Sequence, residues 1–388
     1  MFFAYLKFMT AKNREYNDVM EKAKKKRDSA DFVSRKVQQL NEEVKKHDAD
    51  FLIQVQGTFV WDILNLKSEK LPDSIPTAAN GRPDSIYQYC YYKDHFFDGV
   101  NFKDERLVYT PFFDGRIKKF FDNVLLMHPD TVIFEIDKIL AKCEENSEAY
   151  NLLIGYFTYK YEQSKLMGFD KVFVHMADKY IISGKAKKVY ADETVKIIKD
   201  RVDILRNLLL GVKVPDLYVV DTADAVIVRN MGFDTASSGK SITDLYYKKE
   251  RQLAGIFKTL HSVAAKYTVL VFWAADCGHC QAEIPKLHAD ILSLNKTTDV
   301  KVFAVQTKEE LYASWKKFIC DKKLTGFTHV YDPVHINNYK DRFDVYSVPV
   351  IYLLDKDKKI LAKRLGAEQV SAFIKSLEGI RDSADTGN

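Results

Sequence analysis

Tyr267-Thr-Val-Leu-Val-Phe-Trp-Ala-Ala-Asp-Cys-Gly-His-Cys-Gln-Ala-Glu-Ile-Pro285 is the stretch on which the fold turns. Its first seven residues form a largely apolar run, rich in β-branched and aromatic side chains, that reads as a buried strand. From about residue 278 to 294 the pattern becomes helical. Cys277 and Cys280 therefore stand at a strand-to-helix junction, separated by Gly278 and His279. Two thiols at that spacing can close a small disulfide and reopen it. The helix N-terminus offers unpaired amide N–H groups and a partial positive charge, which favour the thiolate at Cys277. The thiolate is the attacking species in thiol–disulfide exchange, so the placement is itself a chemical argument.

Two plainer readings compete with this one. A Cys-x-x-Cys pair can be half of a zinc site, but zinc takes four ligands and the chain has no second such pair. Cys90, Cys143 and Cys320 are scattered singles. An inert structural pair fits the strand-then-helix context less well than a redox pair. The expected cofactor set is accordingly none beyond the Cys277–Cys280 couple.

Outward from this stretch, the segments alternate. Strands are expected at 267–274, 300–306, 349–354 and 359–364, with a short extended piece at 328–331. Helices are expected at 244–264, 278–294, 309–321 and 368–380. Leu217–Val220 and Ala225–Val228 read as a leading hairpin. Strands alternating with helices argue for an α/β layer fold with a central mixed sheet. Residues 1–213 read as mostly helical. Val33, Val37, Leu40 and Val44 are spaced for an amphipathic helix. Further helices are expected at 115–127, 131–143 with Asp130 as N-cap, 147–166, 169–181 and 191–209. Leu71–Pro83, with three prolines and a glycine, is a loop. Val214-Pro215-Asp216 marks the boundary, giving a helical domain over 1–213, an α/β domain over 214–381 and a frayed tail over 382–388.

The 388 residues suit two or three domains. Net charge is +5, small for this length, and gives no argument for nucleic acid. Lys24–Arg27 is basic, but flanking acids make a solvated helix face the better reading. The aromatics Tyr150, Tyr156, Phe157, Tyr159 and Tyr161 fit helix packing better than a stacking surface for a ligand. Cys90, Cys143 and Cys320 are expected to be small buried hydrophobes. His175 and His335 are expected to be satisfied or exposed histidines rather than metal ligands. The N-terminal Met1–Phe8 is apolar but broken by Lys7, without a cleavage site of a signal peptide.

Phe272-Trp-Ala-Ala-Asp-Cys-Gly-His-Cys280, Pro285 and the late Ser347-Val-Pro349 together resemble the thioredoxin fold. The opening at Val214–Asp216 is similar to the TlpA/ResA-like branch of bacterial envelope oxidoreductases, over about residues 211–380. Asn101–Pro111, Leu166–Asp170 and Gly184–Ala186 resemble the helical domain of unknown function that precedes thioredoxin-like domains in Bacteroidetes envelope proteins. That family usually begins with an export signal and a small β domain, so the resemblance implies a truncated form of a periplasmic or envelope protein, with a membrane anchor as one form of the parent.

The resemblance also assigns roles. Cys277 is the expected nucleophile and Cys280 the buried resolving thiol. Gly278 lets a substrate backbone approach. His279 would stabilise the thiolate and make the disulfide more oxidising, whereas Asp276 would oppose a second negative charge. Glu283 is expected to exchange protons with the thiols. Val271 stands where thioredoxin carries a buried acid. Trp273 is expected beneath the active-site loop. Pro349 is the expected cis-proline, exposing Val348 to an extended substrate. The implied activity is reduction or isomerisation of protein disulfides, fed by an electron donor the sequence does not identify. The alternative is an envelope module binding a peptide or partner, in which the redox pair is secondary.

Overall fold

The computed structural model describes residues 2–25, 30–236 and 238–380, and resolves into two compact units, 1–155 and 156–388. Lys26 and Arg27 of the basic run, and the tail at 382–388, lie outside the described residues.

The first unit is helical. Its elements are α1 (Phe2–Lys24), α2 (Ala30–Gln54), α3 (Phe59–Lys67), α4 (Ser85–Asp94), α5 (Pro111–Lys119), α6 (Pro129–Leu140) and the start of α7 (Glu148–Glu162). A π-helical turn, Phe120–Val124, extends α5. The cap of α6 is His128, whose Nδ1 accepts from the Asp130 N–H, and not Asp130 as its chemistry suggested. Pro129 at the first helical position moves the start back, because proline needs no amide partner there.

The second unit holds the sheet. After α7 come α8 (Asp170–Met176), a π-turn (Ala177–Ile182) and α9 (Asp192–Arg206). The strands are β1 (Tyr218–Asp221), β2 (Lys258–Thr259), β3 (Tyr267–Trp273), β4 (Val300–Gln306), β5 (Phe327–Tyr331), β6 (Val350–Leu354) and β7 (Ile360–Lys363). Interspersed are α10 (Ala225–Val228), α11 (Gly239–Leu253), α12 (Gly278–Leu294), α13 (Tyr312–Asp321), α14 (Tyr339–Phe343) and α15 (Ala367–Leu377). The sheet is mixed, in the order β2-β1-β5-β4-β3-β6-β7. β3 runs parallel to β4 and antiparallel to β6, and β4 is parallel to β5.

The expected leading hairpin does not form. Residues 225–228 are a helical turn, and β1 pairs instead with β2 and β5. The Asp221 carboxylate decides this by accepting from the Ala223 and Asp224 amides, both at 2.9 Å. A carboxylate that captures the next amides bends the chain into a turn before it can return as a strand.

Alternate residues of β3 feed two cores. Val269, Val271 and Trp273 pack on one face with Leu287, Ile291, Trp315, Val370 and Ile374, from α12, α13 and α15. Leu270 and Phe272 pack on the other with Leu208, Val214, Leu217 and Phe343. That second face explains why the units divide at residue 155. The end of α9 and the segment after it are the cover of the sheet. Gly211 N donates to Ile360 O at 2.8 Å, and Val214 N to Lys358 O at 3.0 Å, so this segment runs beside β7. Asp344, buried, is held by Arg201 of α9 and by Arg364. Residues 156–213, read from the sequence with the helical half, thus fold with the sheet.

Leu270 is fully buried between both edges of β3, so Leu270→Ala should cost about 2–5 kcal/mol. The check is chemical denaturation followed by tryptophan fluorescence, since Trp273 and Trp315 sit in the same unit.

Candidate active site

Strand β3 ends at Trp273, and α12 begins at Gly278, leaving a four-residue loop that ends on Cys277. Cys277 is the N-cap of α12, with extended backbone (φ −85°, ψ 115°), and its sulfur accepts from the Cys280 N–H at 3.3 Å. The sulfur therefore occupies the position where a cap oxygen would satisfy an orphan amide of the first turn. It also lies 3.4 Å from the Val348 carbonyl oxygen, to which the thiol donates.

Cys280 sits within the first turn and is fully buried. Burial pushes its thiol well up, and the neighbouring Cys277 sulfur adds to the effect. The two sulfurs are thus inequivalent by position alone. One is half-buried at the surface and the other is sealed beneath it. Both are free thiols.

The Val348–Pro349 peptide bond is cis, and Val348 lies against Cys277. Gly278 is exposed, and open space lies where a side chain on it would stand. His279 is exposed on the first turn of α12. Trp273 is fully buried, its ring 5.6 Å from that of Phe318. Val271, two residues earlier on the same face, is fully buried as well.

Asp276 is not left facing Cys277 alone. Lys308, in the turn after β4, reaches its carboxylate at 2.6 Å. The lysine's own pKa rises, chiefly through that contact and slightly through Cys277. Gln281 braces the loop from the other side, its Nε2 donating to Ala275 O at 2.7 Å. Neither Lys308 nor Gln281 emerges from sequence reading. Lys308 is remote in the chain, and only the pairing of β3 with β4 sets it beside the loop.

Glu283 is engaged with α15. Its Oε2 accepts from the Ala367 N–H at 3.0 Å, and its Oε1 lies 3.7 Å from Lys286. The carboxylate therefore caps the N-terminus of α15 and ties it to α12, where the helix dipole favours negative charge. Of the single cysteines, Cys143 is half-buried, with its thiol pushed up to about 12 by burial. Cys90 and Cys320, expected to be buried, are exposed instead. Cys90 belongs to α4, none of whose residues is buried. On α13, Trp315 fills the core and Cys320 turns outward.

Comparison with known proteins agrees with this geometry. Residues 243–363 match the AhpC/TSA family, and residues 33–207 match a domain of unknown function, DUF5106. A solved domain of a possible thiol-disulfide isomerase from Cytophaga hutchinsonii is 35% identical, with 44% of this chain covering 94% of that one (TM-score 0.33). The chain belongs to the thioredoxin-like AhpC/TSA family, with a DUF5106 domain in front. A thioredoxin-like protein from Bacteroides caccae is 18% identical and aligns over 80% of this chain and 98% of its own, with a TM-score of 0.53. That likeness extends the shared fold to most of the chain. A putative thiol:disulfide interchange protein DsbE from Chlorobium tepidum is 18% identical over 44% of this chain and 98% of its own (TM-score 0.31). No curated protein matches. The AhpC/TSA match places residues 243–363 among thioredoxin-like proteins.

Because Glu283 caps α15, Glu283→Ala should lower stability by about 1 kcal/mol, read as a fall in the thermal midpoint. Thiol chemistry at Cys277 should persist in that variant, as measured by the rate of reaction with a disulfide reagent.

Proposed function

We propose that the chain is a thiol–disulfide oxidoreductase that reduces or isomerises protein disulfides in the cell envelope. The observation that carries the reading is the division of labour between two sulfurs: Cys277 caps the helix at the surface, and Cys280 is buried one turn in.

In the reductive direction, the Cys277 thiolate attacks one sulfur of a substrate disulfide. A Cys277–substrate bond forms, and the other substrate sulfur leaves and takes up a proton. Cys280 then loses its proton and attacks Cys277, releasing the second substrate sulfur as a thiol. Two electrons have passed to the substrate, and a Cys277–Cys280 disulfide remains. A dithiol donor of the envelope must return it to the reduced form. Isomerisation follows when a substrate thiol resolves the mixed disulfide before Cys280 does. No bound cofactor is needed for either route.

The remaining residues fit supporting roles. Val348, its carbonyl beside Cys277, would hold an extended substrate by strand pairing, with Pro349 setting the turn. Gly278 leaves room for the substrate backbone. A positive charge on His279, exposed on the same first turn, would favour the reduced form, and Asp276, partnered by Lys308, would oppose it.

The decisive test is mixed-disulfide trapping in envelope extracts. Cys280→Ser should accumulate covalent adducts that a reductant releases, and Cys277→Ser should form none. Equal retention of partners by both variants would instead identify a binding module. The pKa asymmetry gives a second outcome. With iodoacetamide at pH 8, peptide mapping should find Cys277 alkylated and Cys280 spared, because a thiol raised by burial stays protonated until well above that pH. A third concerns poise: His279→Ala should lower the reduction potential by about 30 mV in glutathione buffers, since loss of a cation disfavours the dithiol form.

A further inference from the structure

Beside the Cys277 loop is a cavity of about 670 Å³, and Ser347 and Val348 form part of its wall. Thr307 and Lys308, from the turn after β4, form another part, with Glu309, Asp332 and Tyr339 among the remaining lining residues. The cavity is continuous with the site through Val348, whose carbonyl lies 3.4 Å from the Cys277 sulfur.

Its polar groups are unequally satisfied. Asp332 is buried, and its oxygens accept from Asn337 N at 2.9 Å, Asn337 Nδ2 at 2.8 Å and Val334 N at 3.3 Å. That carboxylate shapes the loop, and burial pushes its pKa up. Glu309 is held less firmly: its carboxylate accepts from its own backbone N–H, and His335 Nδ1 lies at 3.9 Å, beyond hydrogen-bond length. The Tyr339 hydroxyl is buried and has no hydrogen-bond partner among the described residues. A buried hydroxyl without a partner costs about 1–3 kcal/mol, which a ligand atom could recover. Lys308, also in the lining, is committed to Asp276 at 2.6 Å.

We propose that this cavity is a substrate side-chain subsite, taking a lysine or arginine adjacent to the reactive cysteine of a polypeptide. The proposal rests on the thiol–disulfide reading above. A substrate paired with the Val348 backbone directs alternate side chains to opposite sides of its strand. One of these enters the cavity, where its cation meets the Glu309 carboxylate, with Asp332 behind it and the Tyr339 hydroxyl within the same wall.

Charge adds a pH signature. Burial pushes Glu309 up to about 7, with Asp332 and Glu310 adding to the rise and the residue's own backbone N–H and His335 opposing it. The groups facing it are thus Asp332, His335, Tyr339, Glu310 and Lys308. A carboxyl raised this far carries its charge above about pH 7 and loses it below, so preference for a basic side chain should grow from pH 6 to pH 8.

The experiment uses the full chain with Cys90 and Cys320 replaced by serine, in its reduced form. Peptides carry one cysteine activated as a thiopyridyl disulfide, next to lysine, norleucine or glutamate. Attack by Cys277 forms the Cys277–peptide disulfide and expels thiopyridone, read by absorbance. At pH 8 the lysine peptide should react about tenfold faster than the norleucine peptide. That ratio should shrink to about twofold at pH 6, and likewise in Glu309→Gln. Glu310→Gln, an equal charge change at an exposed neighbour, should keep the ratio. Equal rates for the lysine and norleucine peptides in the unsubstituted cavity, or a preference that survives Glu309→Gln, overturns the subsite. The uncharged reagent 4,4′-dithiodipyridine separates the two readings. Failure of Cys277 to react with it removes the oxidoreductase and the subsite together, and reaction with it but no peptide preference removes the subsite alone.

Discussion

Strand β3 is buried over all seven of its residues and is hydrogen-bonded along both edges, to β4 and to β6. A strand in that position cannot slip by one residue without exchanging its two side-chain faces, which here would throw Trp273 and Val271 into the core built for Leu270 and Phe272. The register therefore fixes where the strand ends. Because α12 starts a short loop later, it also fixes where Cys277 stands. The partner strands bring the rest of the site with them. β6 follows the cis Val348–Pro349 bond, and β4 leads into Lys308 and Glu309.

The chemistry of the two sulfurs follows from this frame. Capping a helix exposes one sulfur to unpaired amide donors, and the turn that follows buries the other among Ile284, Ala275 and Trp273. Nothing about the two cysteines as amino acids distinguishes them. Position relative to one helix terminus does, through the dipole and hydrogen bond on one side and desolvation on the other.

The sheet also organises a part of the chain that precedes it. Leu208, Val214 and Leu217 close its second face, and Asp344 is gripped by Arg201 from α9 and Arg364 after β7. An open sheet with one bare apolar face is not stable in water, so the segment at the end of the helical half is recruited as its cover. This accounts for a unit boundary at residue 155, whereas the composition of the chain changes near 213.

What the sequence determined by itself was local and periodic. The apolar run of β3, the helical pattern of α12 and the Cys-Gly-His-Cys spacing are read from neighbours in the chain, and they sufficed for the mixed α/β sheet, most of its elements and the placing of two cysteines at a helix start. The helices at 131–143, 147–166 and 191–209 were legible in the same way. Tertiary structure alone decided what depends on residues far apart in sequence. It set Lys308 against Asp276 and sent Glu283 to cap α15. It left Cys90 and Cys320 at the surface and placed Glu309, Asp332 and Tyr339 around one cavity beside Val348. The reason is physical. Periodicity records which side of an element faces the core, whereas the partner a charged or polar side chain meets is fixed only once strands from distant parts of the chain are in register.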